Sequence, residues 1–440
     1  MIAAFLFAMM VTVPPPVVIT HVNVVTMDLE STVLTDASVE IAGGKITRIL
    51  RSGGPEPSAA KIVDGKGRWL MPGLIDSHIH YDEEVELTSY LRKGVTTVIS
   101  LGDPPEQIAR MPASLAKVAS GELAGPRLYA AGLIISNGIK LTTAPETRAF
   151  VRAEKAAGRR LIKVYNDTSR EVFDAAADEA HHLHMGVFGH MPRALDPQYV
   201  VSSGLDVLAH AEELFFSSLK GSGDVDLATL TPDWKPDLST LDPVLQAMAD
   251  HKVFLIPNLV ASYHFVEQWV DPDPIFTSTE ASLLTQDTIE GWRDHNYAHR
   301  TQVEKRMLRE ALKRPLLDLI TWKAHQHGVV LLAGTDSPIP TNWPGESLHE
   351  ELRLLVAVGL TNDEVLAAAT RNAGDLIKSR LDPAACLGVV REGCEADLLL
   401  LAKDPRADIR NTETIEAIIA KGRWFTPAEL VARERAMLQK

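Results

Sequence analysis

Between residues 71 and 384 the chain alternates short apolar runs with helix-like stretches. The runs fall at 74–79, 95–99, 128–131, 161–165, 186–189, 207–209, 253–256 and 329–333. Each is predominantly apolar, without the alternation of a half-exposed strand, which a strand tolerates only when both of its faces are buried, as in a parallel sheet covered by helices. Eight such strand–helix units predict an α/β fold, a closed (β/α)8 TIM-like barrel. An open doubly wound sheet is the alternative, but no glycine-rich nucleotide loop follows the first run.

The flanks have a different pattern. Residues 17–50 are rich in β-branched side chains and carry the turn signal Gly43-Gly44, and another strand and turn come at 62–65. After residue 384 the stretches 388–390, 396–401 and 415–420 return to strand character. The simplest arrangement is a small β-sandwich formed by both chain termini. This divides the chain into an apolar N-terminal segment at 1–16, a β-sandwich domain from 17–70 and 385–440, and a barrel from 71–384. Residues 2–13 are nearly all apolar, but no Lys or Arg precedes them and Pro14-Pro15-Pro16 follows. Cytoplasmic residence and export of a chain with a signal remnant both stay open. The two cysteines, Cys386 and Cys394, fit neither a disulfide framework nor a Cys-x-x-Cys zinc site. A formal net charge of -14 argues against nucleic acid as a partner. There is no apolar span long enough to cross a membrane.

The residues with chemistry stand where apolar runs end. Barrel enzymes place their chemistry at the C-terminal ends of the strands. The first run ends in Asp76-Ser77-His78-Ile79-His80, and residues i and i+2 of a strand share a face. Lys163 lies in the fourth run, His190 follows the fifth, His210 the sixth and Asp336 the eighth. Six potential ligands at one rim predict a metal site, since neutral imidazole is the commonest protein metal ligand. The 126 residues from His210 to Asp336 exceed two plain units, so units six and seven carry insertions. Other histidines read as structural. His325 and His327 precede the last run and belong at the opposite end of the barrel. His181, His182 and His184 close a helix, and His349 opens one. Asp76 reads as an orienting group rather than a ligand.

Pro72-Gly73-Leu74-Ile75-Asp76-Ser77-His78-Ile79-His80 and Gly334-Thr335-Asp336 resemble the metal-dependent amidohydrolase superfamily, in the branch of imidazolonepropionase and the prolidase-like dipeptidases. The resemblance implies that His78, His80 and Asp336 bind one divalent metal ion, with zinc the expected metal, and that His190 and His210 bind a second. It implies that Lys163, carboxylated by carbon dioxide to a carbamate, bridges both. Imidazolonepropionases lack that lysine and hold one metal, so Lys163 argues against that identity. The implied reaction is hydrolysis of an amide C–N bond of a peptide-like or N-acyl amino acid substrate by a metal-bridged hydroxide. Metal ions lower the pKa of bound water from about 15.7 toward neutrality. Asp336 would take the proton and return it to the leaving group, with Lys163 as the other catalytic residue. Alternatives are hydrolysis of esters, lactones or cyclic amides, or a mononuclear deaminase of the same superfamily.

For substrate contacts the candidates are Tyr165, Tyr263, His264 and Arg300. Six aromatics occur between Tyr263 and Tyr297, against 6% for the whole chain, in what reads as a loop over the barrel mouth. The expected partner is a small-molecule amide with a bulky apolar group, with homo-oligomer formation left open. The Gly-Gly-His element common in the branch is missing from 135–143.

Overall fold

A computed structural model describes residues 15–51, 61–136, 138–217, 238–270, 276–294 and 303–439. The expected N-terminal apolar segment therefore lies almost entirely outside the described residues.

The chain begins with β1 (Val17–Val25), β2 (Val33–Ala42), β3 (Lys45–Leu50), β4 (Lys61–Asp64) and β5 (Trp69–Pro72). It ends with β13 (Leu398–Leu401), β14 (Ile415–Ala420), β15 (Arg423–Phe425) and a helix over Pro427–Leu438. Both sets join one eight-stranded sheet in the order β15-β14-β13-β5-β1-β2-β3, with β4 paired to β1. The turn from β2 to β3 is Gly43-Gly44, with φ of 59° and 80°. Two successive left-handed residues match the twist of a hairpin, and glycine adopts them without strain. Side chains of β1, β2, β13 and β14 share one core around Ile19, Val39, Leu398 and Ile419. The stretch 388–390, read as a strand, lies instead in an irregular loop. Its Val390 amide bonds Thr26 O, and Cys386 pairs with Cys394 across it. This corrects the expectation for the cysteines: they form a single staple rather than a framework, their Cα atoms lying 4.7 Å apart, within bridging range.

β5 runs straight into β6 (Leu74–Ile79), which with β7 (Val95–Ser100) and β8 (Arg127–Ala130) makes a parallel sheet. A second parallel sheet holds β9 (Leu161–Val164), β10 (Gly186–Gly189), β11 (Val207–Ala209) and β12 (Phe254–Ile256). Apart from parts of β8, these strands are buried at every position, the reason they read as unbroken apolar runs. The eighth run, 329–333, is extended but too irregular for a strand. It splits its hydrogen bonds: Leu332 N donates to Leu255 O of β12, and Ala333 O accepts from Ser77 N of β6. On the other side Ile135 N donates to Lys163 O, so single bridges link the two sheets at both edges.

Helices cover the sheets through one apolar face each. Arg170–His182 is typical: Ser169 caps it by accepting from Val172 N, and Phe173, Ala176, Ala177 and Ala180 are buried at i, i+3, i+4 and i+7. Among the described residues, no helix is long and apolar enough to cross a membrane.

Candidate metal centre

Strand ends and the residues just past them bring the six ligand candidates to one rim. His78 lies in β6 and His80 just past it, with His80 N donating to Ser337 O. Lys163 is a β9 residue, and the His190 amide donates to Val164 O of the same strand. The His210 amide donates to Ile256 O of β12, and that of Asp336 donates to His78 O. His210 and Asp336 turn inward on left-handed backbone, φ 69° and 64°, conformations that cost non-glycine residues energy and recur at functional sites.

Asp336 Oδ1 stands 3.1 Å from both His78 Nε2 and His80 Nε2, and its Oδ2 is 4.0 Å from His210 Nε2. One donor atom each from His78, His210 and Asp336 falls within a 4.8 Å cluster. The His190 ring lies 4.8 Å from that of His210, and Tyr165 packs on His190 at 4.2 Å. The cavity holds about 260 Å3 and is lined by His80, Lys163, His190, His210 and Asp336. Ile134, Pro257, Ala261 and Leu317 supply its apolar surface, with Tyr165, Glu212, Asn258 and Ser262 completing the lining.

Three of the rings are tied from behind. His80 Nδ1 bonds Gly102 O at 2.6 Å, His190 Nδ1 bonds the Glu213 carboxylate at 2.8 Å, and His78 Nδ1 bonds Asn258 Oδ1 at 3.1 Å. With Nδ1–H donating outward, each Nε2 presents a lone pair inward, the tautomer a metal needs. Buried His78 Nε2 makes no hydrogen bond of proper geometry, although Asp336 Oδ1 lies 3.1 Å from it. Leaving such an atom unsatisfied is costly, and a cation at the focus of His78, His80, His210 and Asp336 satisfies it. The donor set, imidazole nitrogens with one carboxylate, suits zinc and related divalent ions. The residues therefore fit the group.

Electrostatics agree. Burial presses the His78 and His190 rings well below the ordinary histidine pKa and takes His210 to about 4, so all three are neutral. His80 behaves oppositely. Burial lowers it, but hydrogen bonds to Asp103 and Asp336 outweigh that and raise it to about 9, a preference for positive charge that a metal ion also meets. Burial opposes ionisation of Asp336, yet the hydrogen bond and charge of His80 help to hold it well below the usual carboxylate range. Burial lowers the Lys163 amine, against the pull of Asp336, Asp103 and Glu213.

Asp76 bonds backbone rather than a ring: its carboxylate accepts from the amides of His78 and Thr335 and from the Thr335 hydroxyl, clamping β6 to the Asp336 segment. Of the substrate candidates, Tyr165 lines the cavity. Tyr263 instead bonds Asp318 under the Arg314 guanidinium, and His264 is held between Asn342 and Glu350. Arg300 lies outside the described residues. Phe276 and Trp292 of the aromatic insertion pack with Ala281, Leu284, Ile289 and Trp343 in a small core of their own. His349 bonds Thr412 and Lys93 O, as a packing residue does. Asn258, Glu213 and the Gly102 carbonyl, which orient the rings, went unread in the sequence. The one local signal was Asn258 standing two residues past the seventh apolar run.

No family model matches the chain. Among solved structures it resembles a protein of Bifidobacterium longum designated a prolidase, with 24% identity, 98% of this chain and 100% of that one covered, and a TM-score of 0.69. It resembles a Xaa-Pro dipeptidase with bound methionine at 18% identity, 93% and 100% coverage and a TM-score of 0.69. A bottromycin amidohydrolase aligns at 21% identity, 96% and 91% coverage and a TM-score of 0.72. The chain thus has the fold of the prolidase and amidohydrolase structures. Matches to curated sequences are short. An adenine deaminase of Lactiplantibacillus plantarum is 39% identical over 90 residues, 19% of this chain and 14% of that protein. The matched stretches span only between 10% and 20% of those relatives' own length.

Proposed function

We propose that this chain is a metal-dependent amidohydrolase with a binuclear centre, cleaving the amide C–N bond of a peptide-like or N-acyl amino acid substrate. The observation that carries the reading is the convergence of His78, His80, His210 and Asp336 on one focus, with a buried His78 Nε2 that makes no hydrogen bond of proper geometry. His78, His80 and Asp336 would hold one ion, His190 and His210 the other, with Lys163 as a carbamate between them. We read the two bridged parallel sheets as one (β/α)8 barrel over 71–384, and the terminal sheet over 17–70 and 385–440 as a curled β-sandwich.

Bound divalent ions, zinc in this reading, supply Lewis acidity and an activated water at neutral pH. The remaining work belongs to the chain. Lys163 is buried, and burial favours its neutral amine, the form that captures carbon dioxide. Asp336, held ionised, accepts the proton of the attacking water and delivers it to the departing amine nitrogen. Glu213, Asn258 and the Gly102 carbonyl keep the rings in register as charge shifts. The apolar surface of Ile134, Pro257, Ala261 and Leu317 excludes water from the acyl side and accepts an apolar group. The deaminase reading is favoured by the adenine deaminase match alone. A lysine buried at the rim speaks against it, because a single-metal centre has no use for a bridging carbamate.

The test is metal analysis of protein grown in zinc-supplemented medium, followed by a panel of dipeptides, N-acyl amino acids, lactones and aminopurines. Two equivalents of metal with amide hydrolysis are expected. A single equivalent with full activity, or turnover confined to aminopurines, overturns the reading.

A further inference from the structure

A second cavity, of about 620 Å3, lies at the other end of the strands, between the barrel and the terminal sheet. It is lined by Arg127, Leu128 and Tyr129 of β8 and by residues 158–160, which precede β9. The candidate metal centre stands at the opposite, C-terminal ends of these strands. The two cavities share no lining residue. Its volume falls within the range of small-molecule sites, and a junction between structural units is a preferred place for one.

The lining holds two sets of side chains. One is apolar: Met111, Leu115 and Val118 stand at i, i+4 and i+7 on the helix Pro105–Ser120, with Leu128 and the Tyr129 ring beside them. The other carries Arg127, Arg159, Arg160, Lys421 and Arg423, against Glu395 as the one acid in the lining. That balance is opposite to the chain's net charge of -14. Arg127 is already committed, to Asp397 at 2.6 Å and Glu395 at 2.7 Å. The Arg159 guanidinium donates to Met111 Sδ at 3.3 Å, and its ion-pair partner Glu154 is 4.0 Å away, beyond hydrogen-bond reach. The Lys421 ammonium donates to the Gly125 carbonyl, and the Arg160 guanidinium to the Leu381 carbonyl. Both acceptors are neutral carbonyls, so neither of these contacts supplies a counter-charge.

We propose that this chamber is a binding site for a small amphipathic anion, an aryl or alkyl body bearing a carboxylate. The body lies on Met111, Leu115 and Val118; the carboxylate meets Arg159 and Lys421. Lys421 adds a physical reason for an anion. Burial lowers its pKa to about 7, Arg127 and Arg423 press it further, and Asp397 only partly offsets them. A bound carboxylate relieves that repulsion and lets the ammonium form. The site is independent of the metal-centre reading, since it needs no metal and no turnover.

The experiment is isothermal titration of the metal-loaded full chain with 4-phenylbutyrate, its neutral amide, butyrate and inorganic phosphate, repeated on Arg159→Gln and Lys421→Met. A charge-assisted hydrogen bond makes a difference of about tenfold to a hundredfold in affinity. Saturable phenylbutyrate binding is expected, with the amide, butyrate and phosphate each weaker by about tenfold or more. Each variant should weaken phenylbutyrate by a similar factor while keeping its metal content. Leu115→Trp, which fills the apolar side, should abolish binding and serves where a charge variant fails to fold. Equal affinity for acid and amide, phosphate binding as tight as phenylbutyrate, or phenylbutyrate affinity unchanged in all the variants overturns the proposal. The last of these would place the acid at the metal centre.

Discussion

Glu351 offers a quantitative test of how the scaffold holds the centre. It is fully buried in the helix Glu346–Val358 and accepts the amide of Val260 at 2.8 Å. Val260 sits in the first turn of the helix Leu259–Val270, directly after Asn258, the residue that orients His78. Burial raises the Glu351 carboxyl from 4.5 to about 8; its bonds to the Val260 and Leu259 amides only partly oppose this, and Asp76 and Glu350 add repulsion. The folded pKa thus exceeds the unfolded one. Between them the unfolded chain has released its proton while the folded chain keeps it, so rising pH favours unfolding. The contribution is complete below about pH 4.5 and is lost progressively up to about pH 8. The gap of about 3.5 pH units, at about 1.36 kcal/mol each, sets an upper bound near 5 kcal/mol, of which about 3 kcal/mol falls between pH 5 and 7.5. Glu351→Gln keeps an acceptor for Val260 and has nothing to titrate. Urea unfolding followed by circular dichroism should show the wild type losing about 3 kcal/mol relative to this variant across that window, other groups cancelling in the difference. Parallel pH profiles for the two proteins would refute the reasoning.

Asp336→Asn should keep the fold but lower kcat by about 10²–10⁴-fold, checked by initial rates on the best amide; a loss under tenfold would remove Asp336 as proton carrier. Lys163→Ala should lose one of two metal equivalents and most activity, with partial recovery in bicarbonate plus a short carboxylic acid; full metal retention contradicts the carbamate. Asn258→Ala should weaken metal affinity by about 10–100-fold, read by competition with a chelating dye, while leaving the thermal midpoint of the metal-free protein nearly unchanged.

The ligand candidates were legible because each stands at or near the end of an apolar run, where the strand period fixes which face a side chain joins. Their supports were not. Asn258 lies 180 positions from the ring that it bonds, and the Gly102 carbonyl has no side-chain identity to read. The eighth run passes for a strand because burial alone makes a segment apolar, whatever its hydrogen bonds. In the insertion, Trp292 lies 5.0 Å from Trp343, far along the chain, and composition cannot tell such a pair from a ligand-binding lid. The cysteine pair was missed for a similar reason: eight residues of spacing say nothing about whether a loop folds back.

The sheet that joins both termini has a consequence for synthesis. β5 pairs with β13, residue 69 with 401 and residue 72 with 398, and β5 leads through Gly73 directly into the strand carrying His78. On the ribosome the first strands emerge more than 300 residues before the partner that covers this edge. Until then β5 offers unpaired backbone to any passing strand, the usual route to aggregation. Contacts of such sequence separation also form slowly, because the intervening loop must close first. The centre therefore matures late: the first histidine strand gains its anchor only when residues 398–401 have arrived. A premature stop shortly before residue 398 would leave every ligand candidate in place and the first of them unmoored.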